Sequence, residues 1–283
     1  MNVMGLFDGK KGLILGVAND RSIAWAIAEE IMKQGGECGF THLPDKPEDD
    51  KKKNHRRVAK CLEGWEKQAK FLVPLNVQSD ENIAEVMQRA KEEFGKIDFL
   101  LHSIAYADLR DLQRDTVETS REGFQLAMDI SAYSLIAVCN AAKDIMSERS
   151  SVLTMTYFGG EKCVPGYNVM GICKAALDAS MRYMAYDLGP RGVRVNALSA
   201  GPLKTLAGSA AKVNEMLPLY AAMAPLGRNI THEEAGRVGA FLLSDMSDGI
   251  TAEILHLDAG YNAMGSPGRL LDRIKEAQTK SDG

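Results

Sequence analysis

Apolar residues in this chain cluster in short consecutive runs. Between the runs lie longer stretches in which they recur at helical spacing. The runs at 12–16, 37–41, 71–77, 97–102, 151–156, 193–198 and 252–257 read as strands. Several are apolar on successive residues, as expected of strands covered on both faces of a parallel sheet. Between the first two runs, Ile23, Ile27 and Ile31 fall four apart and predict a helix. A second helix is predicted over 167–188, stopping before Gly189 and Pro190. Near Thr231, Glu234 stands three residues after a capping threonine, the spacing of a capping box. Strand and helix alternate along the whole chain, which predicts the α/β class: one doubly wound parallel sheet of about seven strands. There is no internal repeat. The charged stretch 44–57 reads as a loop and a solvated helix start, so residues 1–265 form one domain. Residues 266–283 read as a polar tail that frays.

Composition narrows the function. The formal net charge of −4 argues against a general nucleic-acid binder, which would be basic. The N-terminal residues show no apolar run behind a basic segment, so no signal peptide is predicted and the protein is expected in the cytoplasm. The most apolar stretch, 130–142, is too short to span a bilayer, and predicts a helix buried in the core or against another subunit. Cys38, Cys61, Cys139, Cys163 and Cys173 include no Cys-x-x-Cys pair, and His42, His55, His102, His232 and His256 are scattered. Reduced thiols and no metal site are expected.

Two constellations carry candidate chemistry. The first strand-to-helix turn reads Gly16-Val17-Ala18-Asn19-Asp20-Arg21-Ser22-Ile23-Ala24. Gly16 would let the backbone approach a dinucleotide pyrophosphate, and Ser22 could bond a phosphate at the helix start. Ala18 stands where the second glycine of G-x-G-x-x-G would be, so the turn alone is equally a serine-capped junction. The second constellation is Tyr167 and Lys174. Seven residues are almost two helical turns, so both side chains leave one face, roughly 10 Å apart along the axis. A ribose can lie between them, with the ammonium holding its hydroxyls and lowering the phenol pKa. The same spacing also arises in a surface pair. Position favours chemistry, because the helix opens after the fifth strand, at the carboxyl edge where open α/β sheets bind ligands.

At this point the chain resembles a known family. Gly16-Val17-Ala18-x3-Ser22-Ile23-Ala24, His102-Ser103-Ile104-Ala105, Tyr157 with Tyr167 and Lys174, Tyr167-Asn168-Val169-Met170-Gly171, Arg194-Val195-Asn196-Ala197, Ser199-Ala200-Gly201-Pro202 and Thr205-Leu206-Ala207 resemble the short-chain dehydrogenase/reductases. Within that superfamily they match the divergent enoyl-acyl carrier protein reductases of bacterial fatty-acid synthesis. Most superfamily members have Asn-Ala-Gly on the fourth strand and a serine upstream of the tyrosine; here Ser103-Ile104-Ala105 and Tyr157 take those places. The resemblance implies a Rossmann-like fold and reduction of trans-2-enoyl thioesters by NADH. It implies Tyr157, Tyr167 and Lys174 as catalytic residues. Gly16, Ser22, Ile23, Val77, Ser103, Ile104, Lys174 and Thr205 would contact the cofactor. Asn76 stands where the family usually has an aspartate near adenine, and can still accept a hydrogen bond there. Ala105, Tyr157, Tyr167, Met170 and Ala207 would meet the substrate. A homotetramer is implied as well.

Charge bears on two further expectations. The second strand ends Phe40-Thr41-His42, followed by Leu43, Pro44 and Asp45, with no cation placed for the 2′-phosphate of NADPH. NADH is therefore expected as the better donor, unless Lys46, Lys51 to Lys53, Arg56 and Arg57 fold back over the ribose. An acidic carrier protein would want basic residues at the entrance. Lys204, Lys212 and Arg228 are candidates, but Glu215 opposes Lys212, so coenzyme A stays open as the acyl holder. Residues 203–223 read as a flexible lid over the acyl chain, the alternative being a packed helix. Two rivals remain: a carbonyl reductase using Tyr167 and Lys174 on a ketone, and a non-catalytic dinucleotide-sensing module.

Overall fold

The computed structural model of the chain describes residues 5–204 and 213–281. All seven predicted runs form strands: β1 (Lys11–Leu15), β2 (Glu37–His42), β3 (Ala69–Pro74), β4 (Ile97–His102), β5 (Met146–Thr156), β6 (Arg194–Ala200) and β7 (Ile254–Leu257). They pair in parallel in the order β3-β2-β1-β4-β5-β6-β7. The intervening helices are α1 (Ile23–Lys33), α2 (Lys53–Cys61), α3 (Asp80–Phe94), α4 (Leu109–Leu112), α5 (Arg121–Met128), α6 (Ser134–Ala142) and α7 (Asn168–Leu188), then α8 (Val213–Met223), α9 (His232–Leu243) and α10 (Leu270–Ser281).

Side-chain alternation along the strands divides the core in two. Leu13 and Leu15 join Val152, Val195, Leu135, Val138, Leu177 and Met181 on one face. Ile14 joins Phe40, Phe99, Leu153, Leu198, Ile27, Ile31 and Leu242 on the other. Both faces of the sheet are therefore covered, as the unbroken apolar runs predicted. The capping box at Thr231 and Glu234 opens α9 as expected. Strand order reverses between β1 and β4, so successive crossovers diverge there and leave a crevice at the carboxyl edge.

Three expectations change, and one feature is new. β3 ends at Pro74, which has no N–H to carry the ladder on, so Asn76 and Val77 lie in the following turn. The tail expected to fray after Gly265 instead forms α10: Leu270 and Ile274, four apart in a polar segment, supply a helical stripe, and Arg269 Nη1 bonds the Pro225 carbonyl at 2.8 Å. The run 130–142 belongs to a continuous 22-residue helical stretch, Arg121–Ala142, long and apolar enough to cross a membrane by length and composition alone. Leu135, Val138 and Ala142 are fully buried in the core, whereas Tyr133 and Ile136 are exposed. Finally, the π-helical turn Asp129–Tyr133 interrupts that stretch, a feature with no signal in its apolar pattern.

Candidate active site

Gly16 begins the site. Its φ is +101°, and a Cβ there would lie 2.0 Å from the Ser103 carbonyl oxygen, so only glycine fits where β1 and β4 end together. Ser103 N donates to the Leu15 carbonyl at 3.0 Å, locking the two strand ends in step. Ser22 precedes α1, and its Oγ accepts from Ala18 N at 3.0 Å and Asn19 N at 3.1 Å. Both acceptor positions of the hydroxyl are filled, leaving its proton to donate outward. The first turn of α1 carries no acidic side chain, and its leading amides have no partner within the helix. A narrow glycine turn, a free hydroxyl donor and an unopposed helix N-terminus suit a pyrophosphate.

The loop after β4 is fastened from the π turn. Ser131 Oγ accepts from Tyr106 N and donates to Tyr106 O, both at 2.9 Å. This fixes the chain just after Ser103, Ile104 and Ala105; Ile104 is half-buried and Ala105 exposed. Beneath them His102 is fully buried between Thr154 Oγ1 at 3.1 Å and Ser134 Oγ at 2.8 Å. Ser134 gives its proton to the Ile130 carbonyl, so it must accept from His102 Nε2–H, and Nδ1 must accept from Thr154. The imidazole is therefore neutral. Burial, with the Lys174 charge added, pushes its pKa down to about 3.

β5 leads into Tyr157, Lys174 stands on α7, and Tyr167 caps that helix from just before its first turn, where Asn168 takes a positive φ, instead of lying on it as predicted. The Tyr157 and Tyr167 rings meet edge to face, centroids 4.8 Å apart at 71°. Gly159 makes this closure possible, because a Cβ there would lie 2.4 Å from the Tyr167 ring. Lys174 is 5% exposed and donates to the Met155 carbonyl at 2.7 Å, which draws the ammonium to the end of β5. Burial raises both phenol pKa values, that of Tyr157 to about 12, so both hydroxyls remain proton donors near neutrality. Burial lowers Lys174 to about 8, against the pull of Asp178.

Asp178 lies one turn beyond Lys174 and is 3% exposed, with no hydrogen-bond partner for either oxygen among the described residues. Burial raises the Asp178 pKa. The Thr156 hydroxyl lies near the carboxylate and favours its charged form. No motif in the sequence marks this residue, although Lys174 and Asp178 are four apart on one helix, a legible signal. Tyr220, within the segment expected as a lid, hydrogen-bonds Tyr157 through its hydroxyl. Nothing in the local sequence announced that contact.

Other expected positions are placed as follows. Asn76 is exposed after β3, and its Oδ1 accepts from Gln78 N at 3.1 Å; Val77 is buried. Met170 is buried with Val169 and Cys173, against Tyr167. Thr205, Ala207 and Lys212 lie outside the described residues. The described part of the expected lid, α8, buries Leu217, Tyr220 and Ala222. Arg228 is engaged by Glu234 at 2.7 Å. Asp45 turns away from the end of β2: its carboxylate accepts from Asn54 N at 2.6 Å and His55 N at 3.2 Å, at the start of α2.

With this geometry in hand, comparison with known proteins is direct. A family model described as enoyl-(acyl carrier protein) reductase matches residues 16–262. The NADH-dependent enoyl-[acyl-carrier-protein] reductase FabI of Rickettsia felis is 46% identical over 263 residues, covering 93% of this chain and 98% of the relative. The enoyl-(acyl-carrier-protein) reductase of Anaplasma phagocytophilum, solved with NAD, superposes with a TM-score of 0.85 at 40% identity, covering 94% of this chain and 98% of that one. The Bacillus cereus enzyme, solved with NADP+ and an indole naphthyridinone, gives a TM-score of 0.87 at 42% identity, covering 93% and 100%.

Proposed function

The chain belongs to the enoyl-(acyl carrier protein) reductase family, and from that membership we propose how its own residues carry out the reaction. The protein reduces the 2,3 double bond of trans-2-enoyl thioesters with NADH in fatty-acid elongation. When bound, NADH supplies a hydride to the β-carbon, and negative charge then develops on the thioester oxygen. Tyr167 holds that oxygen through its hydroxyl, an electrostatic stabilisation that acts where charge appears. Tyr157, edge-on to Tyr167, offers a second hydroxyl to the thioester. Lys174 holds the ribose hydroxyls and supports the proton supply. Gly16, Ser22 and the start of α1 hold the pyrophosphate. Ser103 and Ile104 line the nicotinamide side. Asn76 and Val77 lie toward adenine.

The observation that carries this reading is the convergence of Tyr157, Tyr167 and Lys174 at the end of β5, beside the reversal in strand order. In the same reading the acyl group arrives on acyl carrier protein, and the enzyme works in the cytoplasm as a homotetramer. Tyr133 before α6 and Ile136 on it, with Tyr183 and Tyr186 on α7, are exposed large side chains that favour subunit packing. The test is oxidation of NADH at 340 nm with crotonyl and acetoacetyl thioesters. Turnover of the crotonyl thioester alone is expected. Turnover of the ketone in its place would reassign the site to carbonyl reduction.

A further inference from the structure

Tyr157 faces Tyr167 on one side and Tyr220 on the other. Tyr220 comes from α8, is 5% exposed, and its hydroxyl hydrogen-bonds that of Tyr157. Its ring is stacked on Tyr261, centroids 4.1 Å apart at 21°, and Tyr261 meets Phe158 edge-on at 5.8 Å. α8 is itself pinned where Asn229 Nδ2 donates to the Leu217 carbonyl at 3.0 Å. The Tyr220 ring therefore has little freedom, and its hydroxyl is held where Tyr157 ends.

A phenol hydroxyl has one proton and two acceptor positions. If Tyr157 gave its proton to Tyr220, it would have none left for a substrate oxygen. If Tyr220 is the donor, Tyr157 keeps its proton and becomes a stronger donor, because hydrogen bonds in a chain polarise one another. Burial decides between the two. A buried hydroxyl must place its proton; the Tyr220 hydroxyl bonds that of Tyr157, with the Tyr261 hydroxyl as its other near neighbour. Tyr157 is half-buried and at the site, so its own proton has somewhere else to go.

We propose that Tyr220 is a positioning residue for the reduction: it donates to Tyr157, so that Tyr157 and Tyr167 can both donate to the thioester oxygen as charge develops there. This rests on the enoyl-thioester reading given above. The Tyr220 bond also draws the Tyr157 pKa downward, against the larger upward push of burial, in the sense expected of a donor. The site is then a row of three phenols, Tyr220 behind Tyr157 and Tyr157 beside Tyr167, with the last two meeting substrate.

The experiment is a double-mutant cycle on kcat with crotonyl thioester, alongside NADH affinity by fluorescence. Tyr220→Phe keeps the ring and its stack on Tyr261. It should lower kcat about three- to tenfold, the scale of one neutral hydrogen bond, with NADH affinity at the parent value. In a Tyr157→Phe background the same substitution should cost nothing further. Tyr220→His, which keeps a ring and a donor, should retain more of the rate than Tyr220→Phe and is the second arm should the phenylalanine variant misfold. Equal losses in both backgrounds would make Tyr220 merely structural. A rise in kcat/KM for Tyr220→Phe would mean that Tyr220 occupies Tyr157 at the substrate's expense. Either result overturns the inference, as does a histidine variant with the parent's NADH affinity but a rate no better than phenylalanine's. Failure of the parent enzyme on crotonyl thioester would instead remove the reading beneath it.

Discussion

Gly16 and Ser103 touch backbone to backbone where β1 and β4 leave the sheet, with 2.0 Å between a hypothetical Gly16 Cβ and the Ser103 carbonyl. One atom added at Gly16 would part the turn proposed to hold the pyrophosphate from the loop proposed to line the nicotinamide. Gly16→Ala should therefore abolish measurable NADH binding and lower the melting temperature. The φ of +101° alone costs about 1–3 kcal/mol for a residue with a side chain, before the collision is counted. Gly9→Ala is the control: it also has positive φ but open space around its Cβ, and should keep NADH affinity. Parent affinity in Gly16→Ala would refute the contact.

Tyr167→Phe should reduce kcat by roughly 10²- to 10³-fold, the usual effect of removing one oxyanion donor. NADH affinity should change far less, since the ring still packs against Tyr157. Steady-state kinetics with titrated NADH separate the two quantities, and a parent kcat would contradict the role given to the hydroxyl.

Lys174 can hold a ribose as an ammonium only below its pKa, which burial brings down to about 8 while Asp178 and Cys173 act in the opposite sense. NADH affinity should fall as pH rises through about 8 in the free enzyme. Asp178→Asn removes a buried negative neighbour, lowers the lysine pKa further and should move that fall to lower pH. Lys174→Met should weaken binding and flatten the profile. Isothermal titration from pH 6.5 to 9.5 reads all three.

His102 gives a stability signature with a definite sign. Its folded pKa of about 3 lies below the ordinary histidine value of 6.5, so between those limits the unfolded chain binds the extra proton. The stability due to a neutral His102 is complete above pH 6.5 and is lost as pH falls toward 3. Urea unfolding should show this loss, and it should be shallower in His102→Gln. An equal slope in the two proteins would place the acid sensitivity elsewhere.

For cofactor choice, kcat/KM should be about tenfold or more higher with NADH than with NADPH, because Leu43 and Pro44 offer a 2′-phosphate no charge-assisted bond. Asp45 does not enforce this by repulsion, since its carboxylate caps the Asn54 and His55 amides. Preference for NADPH would show that the cations on α2 reach the ribose.

The sheet was legible because each strand is an apolar run of its own, and Lys174 because it falls on a predicted helix after the fifth strand, though Tyr167 proves to cap that helix and not to share its face. Ser22 and Gly16 could be read from the turn, and Asp178 was readable by the same helical spacing but carried no motif. The Tyr220–Tyr157 contact joins residues 63 apart, and the π turn depends on how the helix packs between sheet and loop. Neither leaves a periodic trace. Asn76 and Val77 were placed on a strand because apolarity continues past Pro74, whereas the ladder cannot.

The π turn Asp129–Tyr133 adds a residue to a helix that must otherwise advance 100° per position. Everything C-terminal to it is phased by that extra peptide. Deleting one residue there would rotate Leu135, Val138 and Ala142 off the sheet and turn Tyr133 and Ile136 from the outside toward it. The same deletion would disturb Ser131, which holds the loop after Ser103. One peptide unit is thus shared by three tasks, and its loss could not be repaired at any of them singly. Among descendants of this chain, the length of the segment should drift less than the identity of its residues.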